Sequence, residues 1–341
     1  MENFLKTKIV AEISANHNGS LDEAKKLIER AAEIGIKFIK IQSYTPETIT
    51  LDVDDAAFKI SAEHKLWPGK KLFDLYREAH TPWDWHRELF ELGTRLGVIV
   101  FSSPFDATAV KLLEDLNCPI YKIASLETGD LELIKNVADT GKPIIASTGA
   151  STIEEIDLMV ETVFSRGNNN LTLLLCTSAY PTEHNEVGLK RIDFLRKRYQ
   201  LEIGLSDHSK GNEVATAAVA MGATLIEKHF KLNSEIETPD SAFSLDPEEF
   251  KKMMQKIAEV ESILGDEDWK IQKSESFSRT LRRSLIVKKD VFAGEDVTNS
   301  NVGSFRPNIG IEPKYLDQVI GKKFRFDTKK GSPLLFEILE D

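Results

Sequence analysis

Cysteine is scarce in this chain, with Cys118 and Cys176 the two among 341 residues. They lie in separate apolar segments and form neither a metal-ligand nor a redox spacing, which excludes a disulfide framework and fits a reduced, cytosolic setting. An excess of positive charge is missing too. The 44 Lys and Arg stand against 55 Asp and Glu, a net −11, which argues against general affinity for nucleic acid or anionic membranes. An anionic ligand therefore needs a local basic site. No run approaches the roughly 18 apolar residues of a membrane span, and the N-terminal "MENFLKTKIVAEISANHNG" has only a short apolar run before Glu12. A soluble, unexported, cytoplasmic protein is expected. Internal repeats and low-complexity tracts are also lacking.

What is present is alternation. Short β-rich runs at 8–14, 38–43, 98–103, 121–125, 143–148, 171–176, 202–207 and 225–230 are separated by amphipathic stretches. "SLDEAKKLIERAAEIG" has Ser20 as its N-cap and Gly35 as its stop; "PWDWHRELFELGTRLG" opens at Pro82 and closes at Gly97. Eight strands alternating with helices predict a (β/α)₈ TIM barrel, and the absence of a glycine-rich fingerprint after the first strand disfavours an open dinucleotide-binding sheet. The crossover from Ser43 to Val98 is unusually long and should stand at the catalytic face as a substrate wall. The expected divisions are a barrel over 1–266, a polar linker over 267–283 and a small β-rich domain over 284–341, where Gly and Pro turns replace long helical periods.

The strands begin apolar and end polar. Glu12, Asn16 and His17 close the first; Lys40 and Gln42, two apart and so on one face, close the second. Ser102 and Ser103 follow the third, then Lys122, Ser125 and Glu127, then Ser147 and Thr148. Thr177, Ser178 and Tyr180 follow the sixth, Asp207 and His208 the seventh, Lys228 and His229 the eighth. In a barrel these ends converge on one rim. Each alone has an ordinary explanation: a helix-capping hydroxyl, a snorkelling lysine, a core histidine, or for Glu127 an acid at a helix N-terminus. Glu227, Lys228 and His229 alternate in direction, so all three cannot line one cavity. The cluster Trp83, Trp85 and His86 reads as core or subunit packing. A polar end on every strand is what those single explanations do not account for.

His208 and His229 end adjacent strands, and two imidazoles with open remaining positions suit a divalent transition metal acting as a Lewis acid. Asp207 or Asp240 could orient an imidazole or bind a hydroxyl. The hydroxyls around Lys40 and Lys122 form an anion pocket without a P-loop. A cation beside an anion pocket implies a phosphorylated or carboxylated substrate and a polarised carbonyl partner.

The segments "AEISANHNGS", "IKIQSYTP", "SSPFD", "YKIASLE", "STGAS", "CTSAYPT", "GLSDHS" and "EKHF" resemble, in order, the motifs of the sialic acid synthase family. The tail, with "FRPNIGI", resembles that family's antifreeze-like (SAF, β-clip) domain. "YTPETITLD", "LWPGKKLFDLYREAHTPWDWH" and "CTSAYPT" look like its pseudaminic acid branch. The resemblance implies a metal-dependent condensation of phosphoenolpyruvate with 2,4-diacetamido-2,4,6-trideoxy-L-altrose and water, giving pseudaminate and phosphate through a tetrahedral intermediate and C–O cleavage. It implies Mn²⁺, or Mg²⁺ or Co²⁺, on His208 and His229. Phosphoenolpyruvate contacts carry over to Lys40, Ser103, Lys122, Ser125, Ser147, Ser178 and Ser206, and the acid/base role to Glu127. Glu12, Gln42, Tyr180 and Asp240 should face the sugar. Arg306 of the SAF domain should reach the N-acyl sugar of the other subunit, which implies a domain-swapped homodimer. The alternatives are an N-acetylneuraminate or legionaminate synthase, a Schiff-base aldolase using Lys122 or Lys40, and a non-catalytic carbohydrate-binding protein.

Overall fold

The computed structural model describes residues 5–63, 66–233 and 237–340. It divides into two compact units, Met1–Gly265 and Asp266–Asp341. In the first, β1 (Lys8–Glu12), β2 (Phe38–Ser43), β3 (Ile99–Pro104), β4 (Tyr121–Ile123), β5 (Ile144–Ser147), β6 (Leu171–Cys176), β7 (Glu202–Asp207) and β8 (Leu225–His229) pair in parallel, each with the next. β8 closes on β1, with Lys8 opposite Leu225 and Glu12 opposite His229. The closed barrel leaves no sheet edge to cap, and Ile9, Ile39, Ile123, Leu173 and Ile226, on the outward faces of its strands, share one core with the surrounding helices.

The crossover helices form where period and caps agree. Over Leu21–Glu33 the buried positions are Ala24, Leu27, Ile28 and Ala31, one face of a 3.6-residue period, and Ser20 Oγ accepts the Glu23 N–H at 3.3 Å. Burying each such Leu or Ile contributes about 1.5–3 kcal/mol relative to exposure. The helix Trp83–Leu96 stops at Gly97, whose φ of +68° is the left-handed conformation that glycine adopts at no steric cost. Between β2 and that helix the chain also forms Pro46–Ile49 and Leu72–Ala79, so the long crossover carries structure of its own. The last barrel helix, Pro247–Leu264, opens on a capping box between Asp246 and Glu249. Among the described residues, no helix is long and apolar enough to cross a membrane.

The second unit is built from short pieces. β9 (Ser284–Val287) pairs with β10 (Val302–Phe305), and β11 (Lys323–Phe324) with β12 (Leu339–Glu340), all antiparallel. Leu285, Val287, Val297, Val302, Val319, Phe324 and Leu334 form its core. The stretch expected as a linker holds the short helix Ser276–Thr280 and is exposed.

Candidate active site

Period-two alternation along parallel strands decides which groups enter the barrel. Lys40 and Gln42 on β2, Lys122 on β4, Ser206 on β7, and Glu227 and His229 on β8 face one another across the mouth. Lys122 Nζ donates to Glu227 Oε1 at 3.1 Å, Ser206 Oγ donates to the same oxygen at 3.1 Å, and Lys40 Nζ lies 3.8 Å from it. Lys40 Nζ is 2.5 Å from Glu12 Oε2, and Gln42 Nε2 donates to Glu12 Oε1 at 3.0 Å and to Ser14 Oγ at 2.9 Å. These charges are buried: Lys40 is 3 %, Lys122 2 %, Glu12 1 % and Glu227 4 % exposed.

Burial works against every one of those charges, and the partners decide the outcome. For Glu227 burial pushes the carboxyl up, but Lys122 and Lys40 outweigh it and hold the group at about 2, a carboxylate. For Glu12 burial dominates and its pKa is raised, Lys40 opposing and Glu227 reinforcing. Burial lowers Lys122 despite Glu227; at Lys40 burial also works downward, but Glu12 and Glu227 prevail and raise it. The result is a compact cluster in which Glu227 keeps two ammonium groups close together.

Beside it lies a hydroxyl cradle. Ser125 Oγ accepts the Gly149 N–H at 3.2 Å, and Ser147 Oγ is buried without a partner. A Cβ at Gly149 would stand 2.3 Å from Ser178 Oγ, 2.7 Å from Ser125 Oγ and 3.1 Å from Cys176 Sγ. Only glycine lets these groups converge there. Ser103 Oγ donates to the Lys122 carbonyl at 3.1 Å, tying β3 to the base of the lysine. Glu127 ends the turn that begins at Ser125; burial, opposed by Lys122, pushes its carboxyl up to about 7, and its Oε2 is buried without a partner.

His208 and His229 stand with ring centroids 5.3 Å apart. His208 Nδ1 is turned to the Thr177 carbonyl oxygen at 3.4 Å and to Cys176 Sγ at 3.8 Å, which leaves Nε2 for a ligand. Burial, with His208 adding to it, lowers the His229 pKa well below its ordinary value, so that ring is neutral; its Nδ1 is buried without a hydrogen bond, 3.6 Å from Asp240 Oδ2. Burial works against a charge on His208, but Cys176 and Glu227 outweigh it and raise its pKa. A neutral, unpartnered His229 next to a carboxylate, with His208 beside it as a second imidazole that binds once deprotonated, fits a divalent cation. Among the described residues no group of three or more His, Cys, Asp and Glu side chains could hold an ion, so the remaining positions would fall to water or substrate. Tyr180 packs on His208 at 4.5 Å and on Phe243 at 5.3 Å. Asp240 accepts the Ala15 N–H at 3.3 Å, and burial raises its pKa.

The structure thus brings Glu12, Lys40, Gln42, Ser103, Lys122, Ser125, Glu127, Ser147, Ser178, Tyr180, Ser206, His208, His229 and Asp240 to one end of the barrel. Arg306 lies in the other unit, exposed just past β10. Other strand-end residues serve the framework. Asn16 donates to the Phe230 carbonyl and to Ser244 Oγ, both at 2.8 Å, and His17, buried beside Trp85, accepts the Gly19 N–H. Asp207 does not orient an imidazole: it pairs with Lys228 at 2.7 Å and accepts from Ser209. The sequence reading missed Glu227 and Gly149. Alternation could have found the first, since Glu227 shares a face with His229, two residues on. Nothing local marks the second.

A closed parallel barrel that gathers buried lysines, serine hydroxyls and an imidazole pair at one rim has the architecture of a barrel enzyme. The NeuB family model matches residues 27–269 and the SAF domain model residues 282–340; the chain belongs to the NeuB family. It is 42% identical over 334 residues to a pseudaminic acid synthase of Helicobacter pylori, covering 98% of each chain. To an N,N'-diacetyllegionaminic acid synthase of Campylobacter jejuni it is 37% identical, covering 93% of this chain and 95% of that one. Among solved structures it resembles a spore coat polysaccharide biosynthesis protein E of Chromobacterium violaceum, with TM-score 0.82 and 27% identity over 98% of this chain and 100% of that one.

Proposed function

We propose that this chain is a pseudaminic acid synthase, condensing phosphoenolpyruvate with 2,4-diacetamido-2,4,6-trideoxy-L-altrose and water to give pseudaminate and phosphate. The observation that carries the reading is the meeting of Lys40 and Lys122 on Glu227 Oε1, beside a hydroxyl cradle and within the same barrel mouth as the histidine pair. The greater identity to the pseudaminic than to the legionaminic relative, 42% against 37%, supports the choice of sugar.

Lys40, Lys122, Ser103, Ser125, Ser147, Ser178 and Ser206 bind the phosphate and carboxylate of phosphoenolpyruvate through charge-assisted and hydroxyl hydrogen bonds. Gln42, Tyr180 and Asp240 orient the open-chain sugar so that its aldehyde carbon faces C3 of the enol phosphate. A divalent cation held by His208 and His229, Mn²⁺ before Mg²⁺ or Co²⁺, would supply Lewis-acid polarisation of the aldehyde carbonyl. As the C–C bond forms, the aldehyde oxygen takes up a proton from the buried Glu12–Lys40 pair. Ionised Glu127 takes a proton from the water that adds at C2. The tetrahedral carbon then expels phosphate by C–O cleavage: Glu127 returns its proton to the leaving group, a shuttle suited to a carboxyl near pH 7, and the C2 hydroxyl proton released as the ketone forms restores the one that the Glu12–Lys40 pair gave up.

We infer further that the enzyme is cytoplasmic and works as a domain-swapped homodimer, with Arg306 of one copy reaching the sugar held by the other. The test is phosphate release from phosphoenolpyruvate across a panel of amino sugars, with product mass, before and after chelation. Turnover with the diacetamido altrose sugar, lost on chelation and restored by Mn²⁺, is expected. Undiminished turnover by chelated enzyme overturns the metal role, and turnover only with N-acetylmannosamine or the legionaminate precursor overturns the choice of sugar.

A further inference from the structure

The long crossover between β2 and β3 carries midway a feature that the condensation chemistry does not use. Leu66, Trp67, Pro68, Gly69, Lys70 and Glu78 from that crossover, with Glu237, Thr238 and Pro239 from the loop after β8, line a cavity of about 570 Å³. Its walls join the reaction centre on two sides. On one, the Trp67 ring lies 6.5 Å from the Tyr180 ring, whose own centroid is 4.5 Å from His208. On the other, the wall residue Pro239 is followed directly by Asp240, whose Oδ2 is 3.6 Å from His229 Nδ1. Thr238 Oγ1 donates to Asn16 Oδ1 and so fixes that wall to the end of β1.

We propose that this cavity receives the end of the sugar remote from its aldehyde, and that Trp67 is a residue that sets substrate specificity. This rests on the proposed function, which puts the aldehyde at the histidine pair. A six-carbon chain anchored there, with the Tyr180 ring beneath it, projects its far carbons toward Trp67. The deoxygenated C6 methyl and the acetamido methyl are apolar and suit an indole face, whereas a C6 hydroxyl brought against that face loses its water without a partner. Glu237 and the Lys70–Glu78 ion pair at the rim offer acceptors and donors to the amide groups and hydroxyls along the chain. Trp67 is half-buried, its ring both held by the fold and open to a ligand.

The experiment compares wild type, Trp67→Ala and Trp67→Phe by phosphate release, with the diacetamido trideoxy sugar and with N-acetylmannosamine, which keeps its C6 hydroxyl. For Trp67→Ala the KM for the deoxy sugar should rise by about 10-fold or more with kcat little changed, and discrimination against the hydroxylated sugar should shrink. The KM for phosphoenolpyruvate should stay put, and Trp67→Phe should recover most of the loss. An unchanged sugar KM, or equal rises for both substrates, overturns the subsite. If wild type turns over a different acylated amino sugar, the choice of substrate falls while the subsite is judged by the effect of Trp67→Ala on that sugar's KM. If wild type turns over none of them, both proposals fall.

Discussion

Two clusters of buried charge stand back to back across β8, and they differ in one respect. On the outside of the barrel wall, Lys228 is wholly buried, and its ammonium donates to Asp207 Oδ2 and to the Ser209 carbonyl, both at 2.7 Å. Asp207 Oδ1 in turn accepts the Ser209 N–H and hydroxyl. Every oxygen of that carboxylate is used. On the inside, one residue earlier, Glu227 Oε1 is shared between Lys122 and Ser206 while Oε2 has no partner; Glu127 Oε2, Ser147 Oγ and His229 Nδ1 are likewise buried and unpartnered. A buried polar group left unsatisfied costs about 1–3 kcal/mol. A closed network needs nothing more from outside, whereas an open one retains its capacity for a ligand, which is why the inner cluster reads as site and the outer as framework.

Substituting neighbours on the two faces breaks or sharpens this contrast most directly. Glu227→Gln leaves Lys40 and Lys122 without the carboxylate that holds them together, and kcat/KM for phosphoenolpyruvate should fall by about 10³-fold in a phosphate-release assay, the scale of losing a preorganised electrostatic group. Its thermal midpoint should move little, because the mouth can admit water or phosphate to the freed ammonium groups. Lys228→Met should do the opposite. It strands Asp207 in the wall, and the cost, about 3–5 kcal/mol for breaking a buried ion pair, should appear in chemical denaturation with the turnover of the remaining folded enzyme nearly intact. Equal stability losses for the two variants would erase the distinction.

The same contrast explains what could be read from the sequence. The eight strand runs fall within a residue or two of the observed strands, because apolar openings and glycine or proline stops are local signals. The polar strand ends were visible for the same reason, and barrel closure gathers them by topology alone. Which of Glu227, Lys228 and His229 faces inward was a question of register, settled by Ser206 standing opposite Glu227 and Asp207 opposite Lys228. Asp207 and Asp240 were equivalent on paper; only the packing of the loop after β8 brings Asp240 to His229. The crossover that carries Trp67 was expected as a substrate wall, but Trp67 and Gly149 as individual residues were beyond reach, since their significance lies in atoms that approach from segments tens of residues away.

Next in size is Gly149→Ala. The added methyl would meet two serine hydroxyls and a sulfur at 2.3–3.1 Å, so the cradle must open to admit it. The KM for phosphoenolpyruvate should rise by about 10- to 100-fold while the KM for the sugar changes far less, because displacing a positioned anion-binding group weakens the bound geometry without touching the opposite wall. Steady-state kinetics with each substrate varied in turn separate the two. A matching rise in the sugar KM would mean that cradle and sugar wall are not the distinct regions proposed.

The smallest shift in the wild-type enzyme is a pH dependence carried by one proton. Burial holds the Glu127 carboxyl at about 7, above its ordinary 4.5, and the proposed role requires the ionised form in the free enzyme. Activity at subsaturating substrate should therefore rise with pH through about 7 with unit slope and level off above it. Glu127→Gln should abolish that limb along with most of the rate. Stability gives an independent reading with the opposite sign. Between pH 4.5 and 7 the folded chain holds a proton at this site that the unfolded chain has released, so unfolding free energy should decline as pH rises across that window, and Glu127→Gln should flatten the decline. If the activity limb survives in Glu127→Gln while the stability slope disappears, the carboxyl is buried as claimed but the proton that matters for catalysis belongs to another group in the mouth, and Glu12, whose pKa is also raised by burial, is the next to substitute.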